Sequence, residues 1–130
     1  THGLFAFEFF LTQDNQLIVN ESAPRPHNSG HITMDLMSGD QFENHMRSVA
    51  DLPLTTPQLK HQSGIMVNLL GTQNGPINES AIYANAGTKD LKVHLYGKVE
   101  SRLNRKMGHI NLWGDNQWDR AQELVKQLEV

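Results

Sequence analysis

Residues 4–21 read LFAFEFFLTQDNQLIVNE, and this stretch decides the fold of the first part of the chain. Leu4–Thr12 is rich in Phe and Leu and is long enough for a strand, and Leu17–Glu21 is a second, shorter apolar run. The polar residues between the two runs include Asp14-Asn15, which tolerate the positive φ angles of a tight turn. Two strands separated by so few residues predict a β-hairpin.

The predicted hairpin brings two glutamates together. If Asp14-Asn15 is a two-residue loop, paired residues have numbers that sum to 29, so Glu8 lies opposite Glu21. The same register gives the pairs Phe10 with Val19 and Thr12 with Leu17. Opposed side chains have Cβ atoms about 4.5–5.5 Å apart, where like charges repel. Either both carboxylates point into water, as most glutamates do, or a divalent cation such as Mg²⁺ or Mn²⁺ lies between them.

The segment after the second glutamate is dense in polar groups. Residues 22–31 read SAPRPHNSGH, in which two prolines stiffen the backbone and one glycine lets it turn. Arg25 can hold a phosphate or a carboxylate with its two-pronged guanidinium, and Asn28 offers a further oxygen to a metal. An ordinary proline-rich turn, with structural roles for its histidines (His31 above all), is the alternative. The density of donors and acceptors favours a functional site.

Composition limits the classes of function. The chain has 130 residues, of which 38% are apolar and 19% charged, and this is typical of a folded globular protein. A net charge of −3 argues against general binding to nucleic acid, and the apolar runs are too short to span a membrane. The absence of cysteine excludes disulfides and thiolate chemistry. Because the chain begins at Thr1 and enters an apparently buried strand at once, we expect a larger N-terminal part to precede it.

The remaining pattern predicts an alternation of helices and strands. Ser38 with Gln41 three residues later predicts a capped helix start, and Pro53 ends that helix. The loop before this helix is predicted over Ser22–Ile32, and a linker over Leu54–Ser63. Strands are predicted at Ile65–Leu70, Val93–Tyr96 and Lys106–Trp113, a short helix or irregular loop within residues 73–90, and an amphipathic helix from Trp118 to Leu128 capped near Asp115.

Four cations lie within nine positions of this acidic chain, at Lys98, Arg102, Arg105 and Lys106. Such a cluster is often a solvated turn. A nucleic-acid patch is a second interpretation, but aromatic residues are sparse around it. A single phosphate monoester, held by charge-assisted hydrogen bonds, matches the cluster better.

These motifs carry a resemblance to a known family. EFF at residues 8–10, VNE at 19–21 and PRPHNSGH at 24–31 resemble the end of an ATP-grasp domain, and more narrowly the 5-(carboxyamino)imidazole ribonucleotide synthase family, the ATPase subunit of phosphoribosylaminoimidazole carboxylase. MVNLLG at 66–71, HLYGK at 94–98 and RKMGH at 105–109 continue it, although Leu103-Asn104 stands where a Pro-Gly turn is common. The implied fold class is α+β. Residues 1–54 would end a mixed ATP-grasp sheet, and residues 60–130 would form a small β-rich, barrel-like domain with a terminal helix.

The resemblance implies roles for individual side chains. The metal ligands would be Glu8 and Glu21, and the residues at the ATP phosphates Asn20 and Glu21. The catalytic residues near the transferred phosphate would be Arg25 and Asn28. The substrate-binding residues would be His27, Ser29, Lys98, Arg102 and Arg105.

The implied activity is the ATP-dependent carboxylation of 5-aminoimidazole ribonucleotide by bicarbonate, through carboxyphosphate, in de novo purine synthesis. ATP and Mg²⁺ or Mn²⁺ would be required, and the full-length enzyme would be a cytoplasmic homodimer with no nucleic-acid or membrane partner. The 130 residues alone are expected to be inactive. Two alternatives remain, another ATP-grasp purine ligase such as formate-dependent glycinamide ribonucleotide transformylase, and a non-catalytic binding domain.

Overall fold

The computed structural model describes residues 2–86 and 89–128, except for the side chain of Asn85, and forms two compact units, Thr1–Lys60 and His61–Val130. The first unit contains β1 (Ala6–Leu11), β2 (Leu17–Ala23), a 3₁₀ helix (Asn28–Ile32), α1 (Thr33–Leu36), β3 (Met37–Ser38), α2 (Gln41–Val49) and β4 (Gln58–Leu59). The second contains β5 (Gly64–Leu70), β6 (Gly75–Pro76), α3 (Glu79–Ala86), β7 (Leu91–Leu95), β8 (Glu100–Ser101), β9 (Lys106–Trp113) and α4 (Trp118–Gln127). The predicted α+β class is confirmed.

The β1–β2 hairpin has the predicted Glu8–Glu21 pair, but the register near its turn is wrong. The loop has three residues, because Thr12 N–H donates to Gln16 O at 2.9 Å and Asn15 has φ +60°. The ladder therefore pairs Phe10 with Ile18 and Leu11 with Leu17 instead of the predicted partners. A β-bulge between Glu8 and Phe9 then takes up one extra residue of β2, Asn20, and restores the pairing of Glu8 with Glu21.

The segment predicted as one loop over Ser22–Ile32 has more regular structure than expected. Strand β2 continues through Ala23, which pairs with Ala6, and the 3₁₀ helix follows from Asn28. The predicted linker Leu54–Ser63 likewise includes β4, which pairs with β3. In both places backbone groups find partners within the unit, which apolar periodicity does not reveal.

Helix α2 begins two residues later than predicted. Ser38 lies in β3, and the N-cap is Asp40, whose carboxylate accepts hydrogen bonds from the N–H groups of Phe42 and Glu43 at 2.7 and 3.0 Å. An Asp N-cap satisfies the same free donors that a Ser would. Gln41, expected to close a capping box, instead points back toward the preceding loop.

The second unit is built on an antiparallel sheet with the strand order β5-β9-β7. The central strand β9 matches the predicted Lys106–Trp113 and is buried from Met107 to Leu112. Helices α4 and α3 pack against β5 and β7, respectively. The pattern within residues 73–90 forms a helix, and the predicted cap at Asp115 is wrong, since Gln117 precedes α4 and its side chain caps nothing.

The hairpin expected to be buried exposes its apolar side chains. Phe7, Phe10 and Leu17 are more than half exposed. Strands β1 and β2 pair only with each other among the described residues. Within the same described residues, the four helices are all too short or too polar to cross a membrane.

Candidate functional site

The opposed glutamates of the hairpin form the centre of the candidate site. Glu8 on β1 and Glu21 on β2 are direct cross-strand partners, so both side chains lie on one face of the ladder. The bulged residue Asn20 turns its amide toward the same place, and its Nδ2 donates to Glu8 Oε2 at 3.3 Å. The bulge thus supplies a hydrogen bond to one of the two carboxylates.

A histidine from the following loop joins the two carboxylates. His27 Nδ1 lies 3.0 Å from Glu8 Oε1, and His27 Nε2 lies 2.6 Å from Glu21 Oε1. One ligand atom from each of the three residues lies within 4.8 Å of the others. The sequence placed Glu8 and Glu21 together but assigned His27 only to substrate. The sequence signal for this contact is that His27 follows Glu21 by six residues, with two prolines between them. This short, stiffened segment turns back over the hairpin.

Burial differs among the three groups of this cluster. The side chain of His27 is 13% exposed, that of Glu8 31% and that of Glu21 54%. The partly open carboxylates can accept a ligand from solvent, whereas the imidazole is enclosed. Two carboxylates and an imidazole nitrogen are a donor set that Mg²⁺ or Mn²⁺ accepts, with oxygen preferred.

The other loop residues named from the sequence lie around His27. Ser29 Oγ is 2.9 Å from His27 Nδ1, and the side chain of His27 caps the 3₁₀ helix that begins at Asn28. Arg25 is exposed and donates from Nη1 to Pro26 O at 3.0 Å. Asn28, Ser29 and Arg25 therefore belong to one short segment beside the glutamate pair.

The predicted phosphate-binding cations lie in the second unit. Lys98 Nζ lies 5.6 Å from the centre of the Tyr96 ring and donates to Lys106 O, and Arg105 Nη1 donates to Glu100 O at 3.3 Å. Partial burial, and then the charge of Arg105, lower the pKa of Lys98. Two cations that lie close enough to repel each other form a favourable binding site for an anionic ligand.

Backbone hydrogen bonds to Gly71 hold the turn that carries Arg102 and Arg105. Gly71 N–H donates to Arg105 O, and Asn104 N–H donates to Gly71 O, each at 2.8 Å. Asn104 itself has φ +61°. The turn is therefore tied to the end of β5 by two backbone hydrogen bonds.

Comparisons with known proteins bear on both units. A family described as "ATP-grasp domain" matches residues 1–42, and one described as "Phosphoribosylaminoimidazole carboxylase C-terminal domain" matches residues 64–123. The N5-carboxyaminoimidazole ribonucleotide synthase of Bacillus subtilis is 44% identical over 125 residues, which are 96% of this chain and 32% of that protein. The phosphoribosylaminoimidazole carboxylase of Candida albicans is 42% identical over 127 residues, 94% of this chain and 22% of that protein.

Over nearly its whole length the chain is similar to N5-carboxyaminoimidazole ribonucleotide synthases. Among solved structures of this synthase family, that of Thermotoga maritima has a TM-score of 0.80 at 39% identity and covers 98% of this chain and 37% of that one. The synthase of Aspergillus clavatus in complex with ADP and 5-aminoimidazole ribonucleotide has a TM-score of 0.79 at 31% identity, covering 95% and 33%. The chain spans about a third of the length of the curated synthases of Bacillus subtilis and Staphylococcus saprophyticus.

Proposed function

We propose that this chain supplies part of the active site of a ligase that carboxylates 5-aminoimidazole ribonucleotide with bicarbonate and ATP, through carboxyphosphate, in purine synthesis. The observation that carries the proposal is the pairing of Glu8 with Glu21 beside His27. Structures of the similar synthase of Aspergillus clavatus in complex with ATP, and with ADP and 5-aminoimidazole ribonucleotide, support it.

The donor set fits Mg²⁺ or Mn²⁺. Glu8 and Glu21 would hold the ion through carboxylate oxygens, and the Asn20 amide bonded to Glu8 would fix the direction of that carboxylate. When bound, such an ion neutralises charge on the β- and γ-phosphate oxygens of a nucleotide. Adjacent strand residues normally point to opposite faces, but the bulge at Asn20 turns its amide toward Glu8, so Asn20 and Glu21 would both face the nucleotide phosphates.

The loop residues would act on the transferred phosphoryl group. Arg25 is exposed and bound only to a neighbouring carbonyl in the contacts described, so its guanidinium can turn to hold carboxyphosphate or bicarbonate. Asn28 and Ser29 would donate hydrogen bonds to the same anion from the start of the 3₁₀ helix. His27, held between the two glutamates, would place its ring against that anion.

The cations of the second unit would bind the phosphate of the ribonucleotide. Lys98 and Arg105 would make charge-assisted hydrogen bonds to the phosphate oxygens, with Arg102 adding charge from the same turn. Burial, and then repulsion from Arg105, lower the pKa of Lys98, and a bound dianion would oppose both effects by favouring the charged amine. Homodimerisation of the full-length enzyme and a cytoplasmic location are further parts of the proposal.

The proposal is tested in the full-length enzyme with the substitution Glu21→Gln, which keeps the size of the side chain but removes its charge. We expect kcat/KM for ATP-dependent carboxylation to fall at least about 100-fold, as for removal of one group preorganised for transition-state charge. Glu123→Gln makes the same chemical change on an exposed helix position and should leave the rate unchanged. Near-normal turnover by the Glu21→Gln enzyme would contradict the metal assignment.

Turnover with formate and glycinamide ribonucleotide in place of bicarbonate and 5-aminoimidazole ribonucleotide would favour the alternative ligase.

A further inference from the structure

Gln41, the first residue of α2, uses its whole carboxamide to hold the loop that carries His27. Its Oε1 accepts from His27 N–H at 3.0 Å, its Nε2 donates to His27 O at 2.9 Å, and the same Nε2 lies 2.7 Å from His31 Nδ1. The residue is only 9% exposed. These two hydrogen bonds to the backbone of His27 fix both the position and the orientation of that residue.

The orientation of this amide follows from its partners. A backbone N–H can only donate and a backbone carbonyl can only accept, so Oε1 must face the first and Nε2 the second. The second hydrogen of Nε2 then points at His31 Nδ1, which must accept it. The proton of a neutral His31 ring is therefore on Nε2.

The Gln41 amide packs closely against Gly30. A Cβ on Gly30 would lie 2.5 Å from Gln41 Oε1 and 2.8 Å from its Cδ, so a side chain there would displace the carboxamide. Thr33 Oγ1 donates to Gly30 O at 2.6 Å and accepts from Gln41 N–H at 3.2 Å. The loop and the start of α2 are thus linked by both the backbone and the side chain of Gln41.

We propose that Gln41 is a positioning residue, which keeps His27 against Glu8 and Glu21 and keeps the His31 proton on Nε2. The link to catalysis rests on the proposed function, whereas the positioning itself does not. Gln41 touches neither glutamate in the contacts described, so it acts through His27. Partners of this kind, one shell away from a metal, typically change metal affinity or activity about 10- to 100-fold when they are replaced.

The first test reads the histidine rings of the 130-residue chain by long-range ¹H–¹⁵N NMR. In the unmodified chain we expect the His31 signals of an unprotonated Nδ1 and a protonated Nε2. In Gln41→Glu, a carboxylate replaces the donor, so Nδ1 of His31 should carry a proton. Gln58→Glu adds the same charge at an exposed position of β4 and should leave both rings unchanged. A proton on His31 Nδ1 in the unmodified chain would overturn the inference without need of any variant.

The second test uses Mn²⁺ alone as the probe of the glutamate cluster. Gln41→Glu and Gly30→Ala should weaken Mn²⁺ binding about 10- to 100-fold and shift the backbone amide signal of His27, while Gln58→Glu should do neither. Gly30→Ala displaces the amide without adding charge, so agreement between the two variants excludes a simple charge effect. Unchanged Mn²⁺ binding and an unchanged His27 signal in both variants would overturn the inference.

The outcomes separate this inference from the proposed function. If the unmodified chain binds no Mn²⁺ but the His27 and His31 signals still depend on Gln41, the positioning stands and the metal assignment fails. If Mn²⁺ binds through Glu8 and Glu21 but neither ring responds to Gln41, the assignment stands and the positioning fails.

Discussion

At the scale of single residues, Gly71 is the position where a side chain is least tolerated near the predicted phosphate site. A Cβ there would meet the carbonyl of Arg102 and lie 2.5 Å from Ser101 Oγ. We expect Gly71→Ala to lower the free energy of unfolding by about 1–3 kcal/mol, as for overpacking, and to weaken binding of ribose 5-phosphate. Thermal unfolding and ³¹P NMR titration measure the two effects. Val99→Ala, at a position 88% exposed, is the control, and a Gly71→Ala chain as stable as the control would contradict the prediction.

The glutamate pair shows what residue-level reasoning predicts and what it misses. The sequence predicted that Glu8 faces Glu21, and this is confirmed, but two errors cancelled in the prediction. The loop is one residue longer than assumed, and the bulge at Asn20 takes up one residue on the other strand. A turn cluster of four polar residues does not reveal which of them close the loop, and a bulge has no hydrophobic signature. His27 was missed as a partner because its position depends on the fold of the loop.

At the scale of elements, the start of helix α2 depends on Asp40. Its carboxylate accepts from two backbone N–H groups that otherwise lack partners within the helix. We expect Asp40→Ala to lower the free energy of unfolding by about 1 kcal/mol, measured by urea unfolding. Ser38→Ala is the matched control, because the sequence nominated Ser38 as the cap and the structure places it in β3. A larger loss for Ser38→Ala than for Asp40→Ala would contradict the assignment.

The same helix gives a pH-dependent contribution through Glu43. Hydrogen bonds from Arg47 and then from Thr55 lower the pKa of Glu43 below its ordinary value of 4.5. A lowered carboxyl pKa stabilises the fold above the ordinary value, and this stabilisation is lost as the pH falls through the folded-state pKa. We therefore expect Glu43→Gln to be less stable than the unmodified chain at neutral pH, with a difference that shrinks below pH 4.5. Urea unfolding at both pH values measures this, and a difference that grows in acid would contradict it.

The elements themselves were predicted well where apolar periodicity is strong. Helix α4 begins where the sequence placed it, because its buried residues repeat with the period of a helix. Strand β9 also begins where the sequence placed it, as a short run that is buried continuously from Met107 to Leu112. Helix ends and short strands were predicted less well. The loop before the 3₁₀ helix and the β3–β4 pair depend on hydrogen bonds from residues distant in sequence, such as Gln41 and Leu59. The cap of α2 is local, but Asp40 forms it instead of the equally suitable Ser38.

At the scale of the whole molecule, the chain divides into two compact units between Lys60 and His61. The ATP-grasp match falls in the first unit and the carboxylase C-terminal match in the second. That the 130 residues alone do not turn over substrate stays a prediction. Phosphate release by this chain with ATP, bicarbonate and 5-aminoimidazole ribonucleotide would contradict it.

The central claim is that Glu8 and Glu21 together hold a divalent cation, and paramagnetic NMR with Mn²⁺ tests it most directly. Substoichiometric Mn²⁺ added to the ¹⁵N-labelled chain should broaden the signals around Glu8, Glu21 and His27 first. Asp14, an exposed carboxylate at the other end of the same hairpin, serves as the internal reference. Glu21→Gln should abolish the selective broadening. Broadening that begins at Asp14, or that is the same in Glu21→Gln, would contradict the claim.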